Sequence, residues 1–340
     1  MSDVITHKAL LQLVDDWAAQ GKQVTGPVQV KAGLYMYQKL SGSGQLALEG
    51  FVRPANSIKE ILFPRCEKIY RYEFKGQKVE LNDCAVSDVE RVVVGARPCD
   101  AASLPILDKV FNWDYEDKFY NARRAATTVI TLACEKWDDK CFCTSVGLGP
   151  AAERGSDVLL FPLGDGNYEV RCLTEKGKGL FAGKTQTSDK TATAAAGPEK
   201  RIDAKWLEKD LKEAYENPAW KTIVLRCLGC GACTYSCPTC HCFDIVDEGN
   251  ALGGCRMKNW DACQFGMFTM HASGHNPRGT QGQRQRQRIQ HKFRIYPEKF
   301  GEILCTGCGN CTRACPVGLG VLRTIEELRD APAPENDEVK

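Results

Sequence analysis

Along the first twenty residues, Val4, Ala9, Leu10, Leu13, Val14 and Trp17 recur near helical spacing with charged positions between them, which predicts an amphipathic helix over residues 3–20. Two β-branched runs follow, Val92-Val93-Val94-Gly95 and Thr127-Thr128-Val129-Ile130-Thr131-Leu132, and each leads into a cysteine, as a strand ending at a site would. Residues 101–111 between them read as a helix. This order of strand, loop, helix and strand predicts an α/β domain over residues 1–182. Two further apolar runs, Val158 to Phe161 and Tyr168 to Leu173, flank Gly164-Asp165-Gly166-Asn167 and predict a hairpin that closes the domain.

From Gly183 to Lys200 the chain turns to Thr, Ala, Ser, Gly and Lys with almost no large apolar residue, marking a linker or surface insertion. Residues 201–330 hold two short cysteine arrays separated by a polar stretch that looks poor in helix. The acidic, Pro-containing residues 331–340 read as a flexible tail. The expected class is therefore α+β: an N-terminal α/β domain followed by a mostly helical, loop-rich domain built around the two arrays.

Charge changes this picture little. The chain has 340 residues, and 45 basic against 43 acidic ones leave a formal charge of +2, too even to point to nucleic acid or an anionic membrane as the main partner. No run approaches the roughly 20 apolar residues of a membrane-spanning helix. The N-terminus carries no basic start before an apolar core and no twin arginine, so the expected compartment is the cytoplasm. Cysteine changes the picture most. There are 19, clustered instead of spread in pairs, and thiols in a reducing compartment serve metal or redox chemistry more readily than disulfides.

The pattern Cys-x-x-Cys-x-x-Cys-x-x-x-Cys-Pro occurs twice, as Cys227, Cys230, Cys233, Cys237-Pro238 and as Cys305, Cys308, Cys311, Cys315-Pro316. Thiolates spaced by two residues let one tight loop wrap three corners of a cubane, and in two-cluster ferredoxins the fourth cysteine ligates the other cluster. The spacing therefore assigns Cys227, Cys230, Cys233 and Cys315 to one [4Fe–4S] cluster and Cys305, Cys308, Cys311 and Cys237 to a second. Glycines within each array leave room for backbone amides to approach inorganic sulfide. A zinc ribbon would use two Cys-x-x-Cys pairs and has no need of a third regularly spaced cysteine or the proline.

A second constellation follows the candidate strands: Cys99 in Arg97-Pro98-Cys99-Asp100, then Cys134, then Cys141-Phe142-Cys143. Four thiols at strand ends match the ligand number of a third cubane, although ordinary buried cysteines would look the same. A third group, Cys240, His241, Cys242, Cys255, Cys263, His271 and His275, reads either as an additional metal site (Cys240, Cys242, Cys263) or as small apolar side chains around the clusters. His275 reads as a hydrogen-bond donor to sulfur or to a loop carbonyl. From Arg278 to Arg294, six Lys or Arg residues alternate with Gln and no acid intervenes. Three readings stay open: a solvated helix face, a docking surface for an acidic redox partner, or positive charge raising the potential of a nearby cluster. No dinucleotide fingerprint, phosphate loop or nucleophile elbow occurs, so substrate chemistry and nicotinamide binding are expected on other chains.

On these residues, the chain resembles a family of dicluster iron–sulfur proteins, that of the sulfhydrogenase beta-subunit and the corresponding iron–sulfur subunit of anaerobic sulfite reductase. The likeness covers most of the length. It rests on Gly95-Ala96-Arg97-Pro98-Cys99-Asp100, on Cys134 with Cys141-Phe142-Cys143-Thr144-Ser145-Val146-Gly147, and on Arg226-Cys227 through Cys237-Pro238-Thr239-Cys240-His241-Cys242-Phe243. Trp260-Asp261-Ala262-Cys263, Gly274-His275-Asn276-Pro277-Arg278 and the array from Cys305 to Pro316 complete it. The resemblance implies a hetero-oligomeric, cytosolic, anaerobic complex. In it this chain would relay electrons between a catalytic module, of hydrogenase, sulfite reductase or heterodisulfide-reductase type, and a flavin-containing NAD(P)H oxidoreductase subunit. The Gln/Arg run after Arg278, where the family is richer in Tyr, and Cys255 depart from the pattern. The alternative from another class is a self-contained reductase of a sulfur compound or disulfide, working at Cys240, Cys242 and Cys263.

Overall fold

In a computed structural model the chain is described over residues 1–203 and 206–332; the predicted tail lies almost wholly outside them. Among the described residues, twelve strands run in chain order: β1 (Ser2–Thr6), β2 (Gln23–Lys31), β3 (Leu34–Lys39), β4 (Cys66–Lys75), β5 (Lys78–Asp83), β6 (Arg91–Ala96), β7 (Thr127–Leu132), β8 (Val158–Pro162), β9 (Asn167–Cys172), β10 (Gln186–Ser188), β11 (Phe243–Asn250) and β12 (Gly253–Trp260). Eight form one sheet in the order β10-β1-β9-β8-β7-β6-β2-β3. Its centre, β2, β6, β7 and β8, is parallel, and antiparallel strands close both sides.

The central strands are buried on both faces, which is why they read as unbroken β-branched runs and not as an alternation. Val92, Val94, Ile130 and Leu132 pack with Leu10, Leu13, Val14 and Trp17 of the helix His7–Ala19. Val93 and Val129 face the other way, against Leu104, Leu107 and Phe111 of the helix Ser103–Phe111. The expected strands, that helix and the β8–β9 hairpin all occur. The N-terminal helix does not begin at residue 3: Ser2–Thr6 instead pairs with β9 and β10, and the Thr6 hydroxyl, accepting from the Ala9 amide, starts the helix after it. Period 2 and period 3.6 coincide over so short an apolar run, and pairing with β9 decided it.

The segment between the cysteine arrays holds more regular structure than its polarity suggested. Strands β11 and β12 form a hairpin that joins β4 and β5 in a four-stranded sheet, so residues from both halves of the chain share one sheet. The helix Gln281–Gln290 follows, its first turn closed by a reciprocal cap between Thr280 and Gln283. Around it, Phe142, Ile289, Phe293, Leu322, Ile325 and Cys311 build a separate apolar core beneath the arrays.

Candidate iron–sulfur centres

The two arrays fold alike. In each, glycines at positive φ (Gly229 and Gly231 at 64° and 73°, Gly307 and Gly309 at 64° and 74°) turn the loop, and a single helical turn follows, Ala232–Tyr235 or Asn310–Arg313. The arrays also exchange their fourth cysteines. Cys227, Cys230 and Cys233 line one pocket with Cys315, which comes from the other array. Reciprocally, Cys237 lies electrostatically close to Cys305 and Cys308, and Cys308 to Cys311. Backbone amides point at sulfur: Leu319 N–H donates to Cys315 Sγ at 3.2 Å and Val321 N–H to Cys311 Sγ at 3.3 Å.

The third constellation also comes together. Strands β6 and β7 are parallel neighbours, so the turns after their carboxyl ends place Cys99 and Cys134 side by side. Cys99, Cys134, Cys141 and Cys143 line one pocket, which Gly307 and Cys308 of the second array also border. This close approach explains two glycines. A Cβ on Gly307 would lie 2.5 Å from the Cys143 backbone and one on Gly309 would lie 2.4 Å from the Lys140 carbonyl oxygen, so a side chain at either place would drive the second array off the Cys141–Cys143 loop. The Gly307 carbonyl accepts from the Phe142 amide at 2.8 Å across the same seam.

Polar and cationic side chains surround these thiols, and Arg53, Lys59 and Arg313 among them carry no sequence signal of their own. Arg53 donates to Cys99 Sγ at 3.0 Å and forms a buried pair with Asp100 at 2.9 Å, to which the Tyr37 hydroxyl also donates. Arg313 donates to Cys141 Sγ at 3.0 Å and is held by Asp138. Lys292 Nζ donates to Cys237 Sγ at 3.4 Å, and Lys59 Nζ donates to the Cys240 carbonyl oxygen at 2.9 Å. Gln281, on the helix carrying the Gln/Arg run, donates to Cys227 Sγ at 3.4 Å. That run divides by face: Arg286 and Arg294 pair outward with Glu216 and Glu298, while Arg288 and Lys292 turn inward and are buried. A solvated face therefore describes only half of it.

The third group separates. Cys263 lies beside Cys242, and Cys240 beside Cys237. Cys255 lies apart, on β12 opposite Glu248 and Arg71. His275 does not serve as a donor to sulfur: it is exposed, its ring 5.4 Å from that of His271. Among the described residues, no three His, Cys, Asp or Glu side chains converge closely enough to hold a single metal ion.

The donor set fits polynuclear iron–sulfur groups. Burial pushes the thiols of Cys99 and Cys134 up, Cys143 to about 12, and Cys233 and Cys308 to about 11, so without metal they stay protonated at neutral pH. Iron must displace those protons, and the inward-facing cations are placed to offset the negative charge that results.

A family model described as a 4Fe-4S dicluster domain matches residues 226–319, which span both arrays. Sulfhydrogenase 2 subunit beta of Pyrococcus furiosus is 31% identical over 322 residues, covering 91% of this chain and 92% of that protein. No solved structure matches. Among the described residues no helix is long and apolar enough to cross a membrane. With that identity sustained over nearly the whole of both chains, and with the dicluster domain placed on the two arrays, the chain is an iron–sulfur protein that belongs to the sulfhydrogenase beta-subunit family.

Proposed function

We propose that the chain is an electron-transfer subunit of a sulfhydrogenase-type complex. Cys227, Cys230, Cys233 and Cys315 would hold one [4Fe–4S] cluster, Cys305, Cys308, Cys311 and Cys237 a second, and Cys99, Cys134, Cys141 and Cys143 a third. Each group, when bound, supplies one-electron chemistry. The chain's own side chains fix the order of the three sites, exclude water and donate hydrogen bonds to sulfur. The observation that carries this reading is the nearness of successive sites. Cys308 borders the pocket lined by Cys99, and Cys233 packs in the same apolar core as Cys311, which supports an order running from the strand-end site through the second array to the first. At the far end Cys230 is exposed beside Leu228, 67% exposed, whereas Cys308 and Cys311 are buried. A relay needs that combination of an insulated middle and an open terminus.

The relay's ends would meet a catalytic partner and a flavin-containing NAD(P)H oxidoreductase subunit, in the arrangement expected from the family. The hetero-oligomer is supported by the name of the Pyrococcus relative, which is one subunit of a sulfhydrogenase. A second reading, reduction of a sulfur compound or disulfide by this chain itself, is favoured by one observation: the neighbouring thiols Cys242 and Cys263 are both partly accessible. The two readings separate on the anaerobically purified lone chain, reduced with dithionite and freed of excess reductant. A relay passes its electrons to a one-electron dye and leaves sulfite, polysulfide and disulfides untouched. Turnover of any of these without a partner overturns it.

A further inference from the structure

Among the described residues, Arg288 has the most buried side-chain polar atoms without a hydrogen-bond partner. It is 2% exposed, yet its Nε, Nη1 and Nη2 have no hydrogen-bond partner. A guanidinium removed from water costs several kcal/mol unless paired, and an unpaired buried cation is the costly case. No carboxylate is among the groups acting most strongly on it. The four that hold its charge against burial are Cys233, Cys311, Cys240 and Cys263. Cys233 belongs to the first array and Cys311 to the second, and both pack in the same apolar core as Ile289, the next residue on the helix, so the buried guanidinium is within electrostatic reach of both thiol sets. Five donors in a rigid fork, aimed at no protein acceptor, mark a place that only an anion on both sides completes.

Lys292, four residues on and also 2% exposed, offers an internal comparison. Its Nζ has protein partners, the Leu304 carbonyl oxygen at 3.1 Å and the Thr239 hydroxyl at 3.2 Å. The thiols it meets are Cys237 at 3.4 Å, with Cys240 and Cys305 nearby, and so lie on the side of the second array. One helical stretch, begun by the Thr280 cap and continued by the π-helical turn His291–Ile295, thus presents two cations of different reach.

We propose that Arg288 is the shared counter-cation of the two ferredoxin-type clusters, holding the potentials of both up together, whereas Lys292 acts on the cluster of the second array alone. This rests on the cysteine assignments proposed above. Reduction adds one negative charge to a cluster, and a fixed cation between two clusters stabilises the added electron on either. Matched potentials keep an electron from being trapped on one side of the step. Because arginine stays charged at every accessible pH, its contribution does not vary with pH.

The test is an anaerobic redox titration followed by electron paramagnetic resonance, with iron and acid-labile sulfide measured on each sample. In Arg288→Met the iron content is unchanged and both ferredoxin-type potentials fall, each by a tenfold change in the oxidised-to-reduced ratio or more, about 59 mV for one electron. In Lys292→Met only one falls. Unchanged potentials in fully loaded Arg288→Met, or a shift confined to one cluster, overturn the proposal. Should the methionine variant fail to load, Arg288→Gln keeps polarity without charge and carries the same expectation. If neither loads, Arg288→Lys decides: it keeps the charge, so the variant should load with both potentials near the wild-type values, and a loaded lysine variant in which either potential falls by a tenfold change in the oxidised-to-reduced ratio or more overturns the proposal. A wild-type chain with fewer than about eight iron atoms would instead overturn the cysteine assignments themselves.

Discussion

The two cysteine arrays share a spacing and a backbone path but not an environment. In the first, Cys230 is exposed and Leu225 and Leu228 project into solvent at 83% and 67% exposure. In the second, Cys308 and Cys311 are buried, and Gly307 and Gly309 press against the loop carrying Cys141 and Cys143. Short-range sequence therefore sets the shape of each thiolate loop, while the rest of the chain sets what the loop can do. The second array is insulated between two neighbours, and the first opens outward.

The largest expected effect comes from breaking the exchange of fourth cysteines. Cys237→Ala, although it lies in the first array, should remove the cluster of the second, with a loss of about four iron atoms per chain, and Cys315→Ala should do the reverse. Metal analysis with spectroscopy of the surviving cluster checks this; loss of the cluster in the mutated residue's own array would contradict it.

Next comes the seam that insulates the second array. Arg53 and Asp100 are 2% and 0% exposed, so Arg53→Met leaves a buried carboxylate without its partner. We expect a loss of about 3–5 kcal/mol, read as a fall in denaturation midpoint. The ion pair between Arg226 and Glu327, beside the open array, is 37% and 29% exposed, and Arg226→Ala should cost under about 1 kcal/mol.

A smaller effect is expected from pH. Burial lowers His241 from 6.5 to about 4 and His291 from 6.5 to about 3, and the rings lie 5.5 Å apart. With folded-state values depressed, the unfolded chain takes up protons first as pH falls. Stability is thus intact above about 6.5 and declines from there through about 4 and on to about 3. A pH series of thermal midpoints should show that decline, and His291→Gln should flatten it.

The smallest effect lies at the open terminus. Leu228→Ser should change stability by less than about 0.5 kcal/mol, whereas Phe142→Ala, at a fully buried ring in the seam, should cost about 3–5 kcal/mol. Equal costs at the two places would erase the distinction between an open and an insulated array.

Much of this was legible in the sequence, because its determinants are local. The strands β6 and β7 announced themselves as β-branched runs, and the arrays as cysteines at fixed spacing before proline. Convergence of Cys99, Cys134, Cys141 and Cys143 could be anticipated from strand ends, but not their contact with Cys308, which depends on how distant segments dock. The β11–β12 hairpin was missed because β11 is largely exposed and the strand that β12 pairs with, β4, lies far away in sequence. Arg53, Lys59 and Arg313 carried no signal, since a cation meant for a buried sulfur looks like any surface cation. Arg288 and Lys292 did carry one, being four residues apart on a helical stretch free of acids, and the inward face they share required the packed core to become visible.

The most direct measurement of the central claim is iron and acid-labile sulfide on the anaerobically purified chain, together with its visible absorbance before and after dithionite. Three four-cysteine sites predict about twelve of each per chain and a broad absorbance that bleaches on reduction. About eight would remove the strand-end site from the relay, and fewer than about eight, or a colourless protein, would contradict the account.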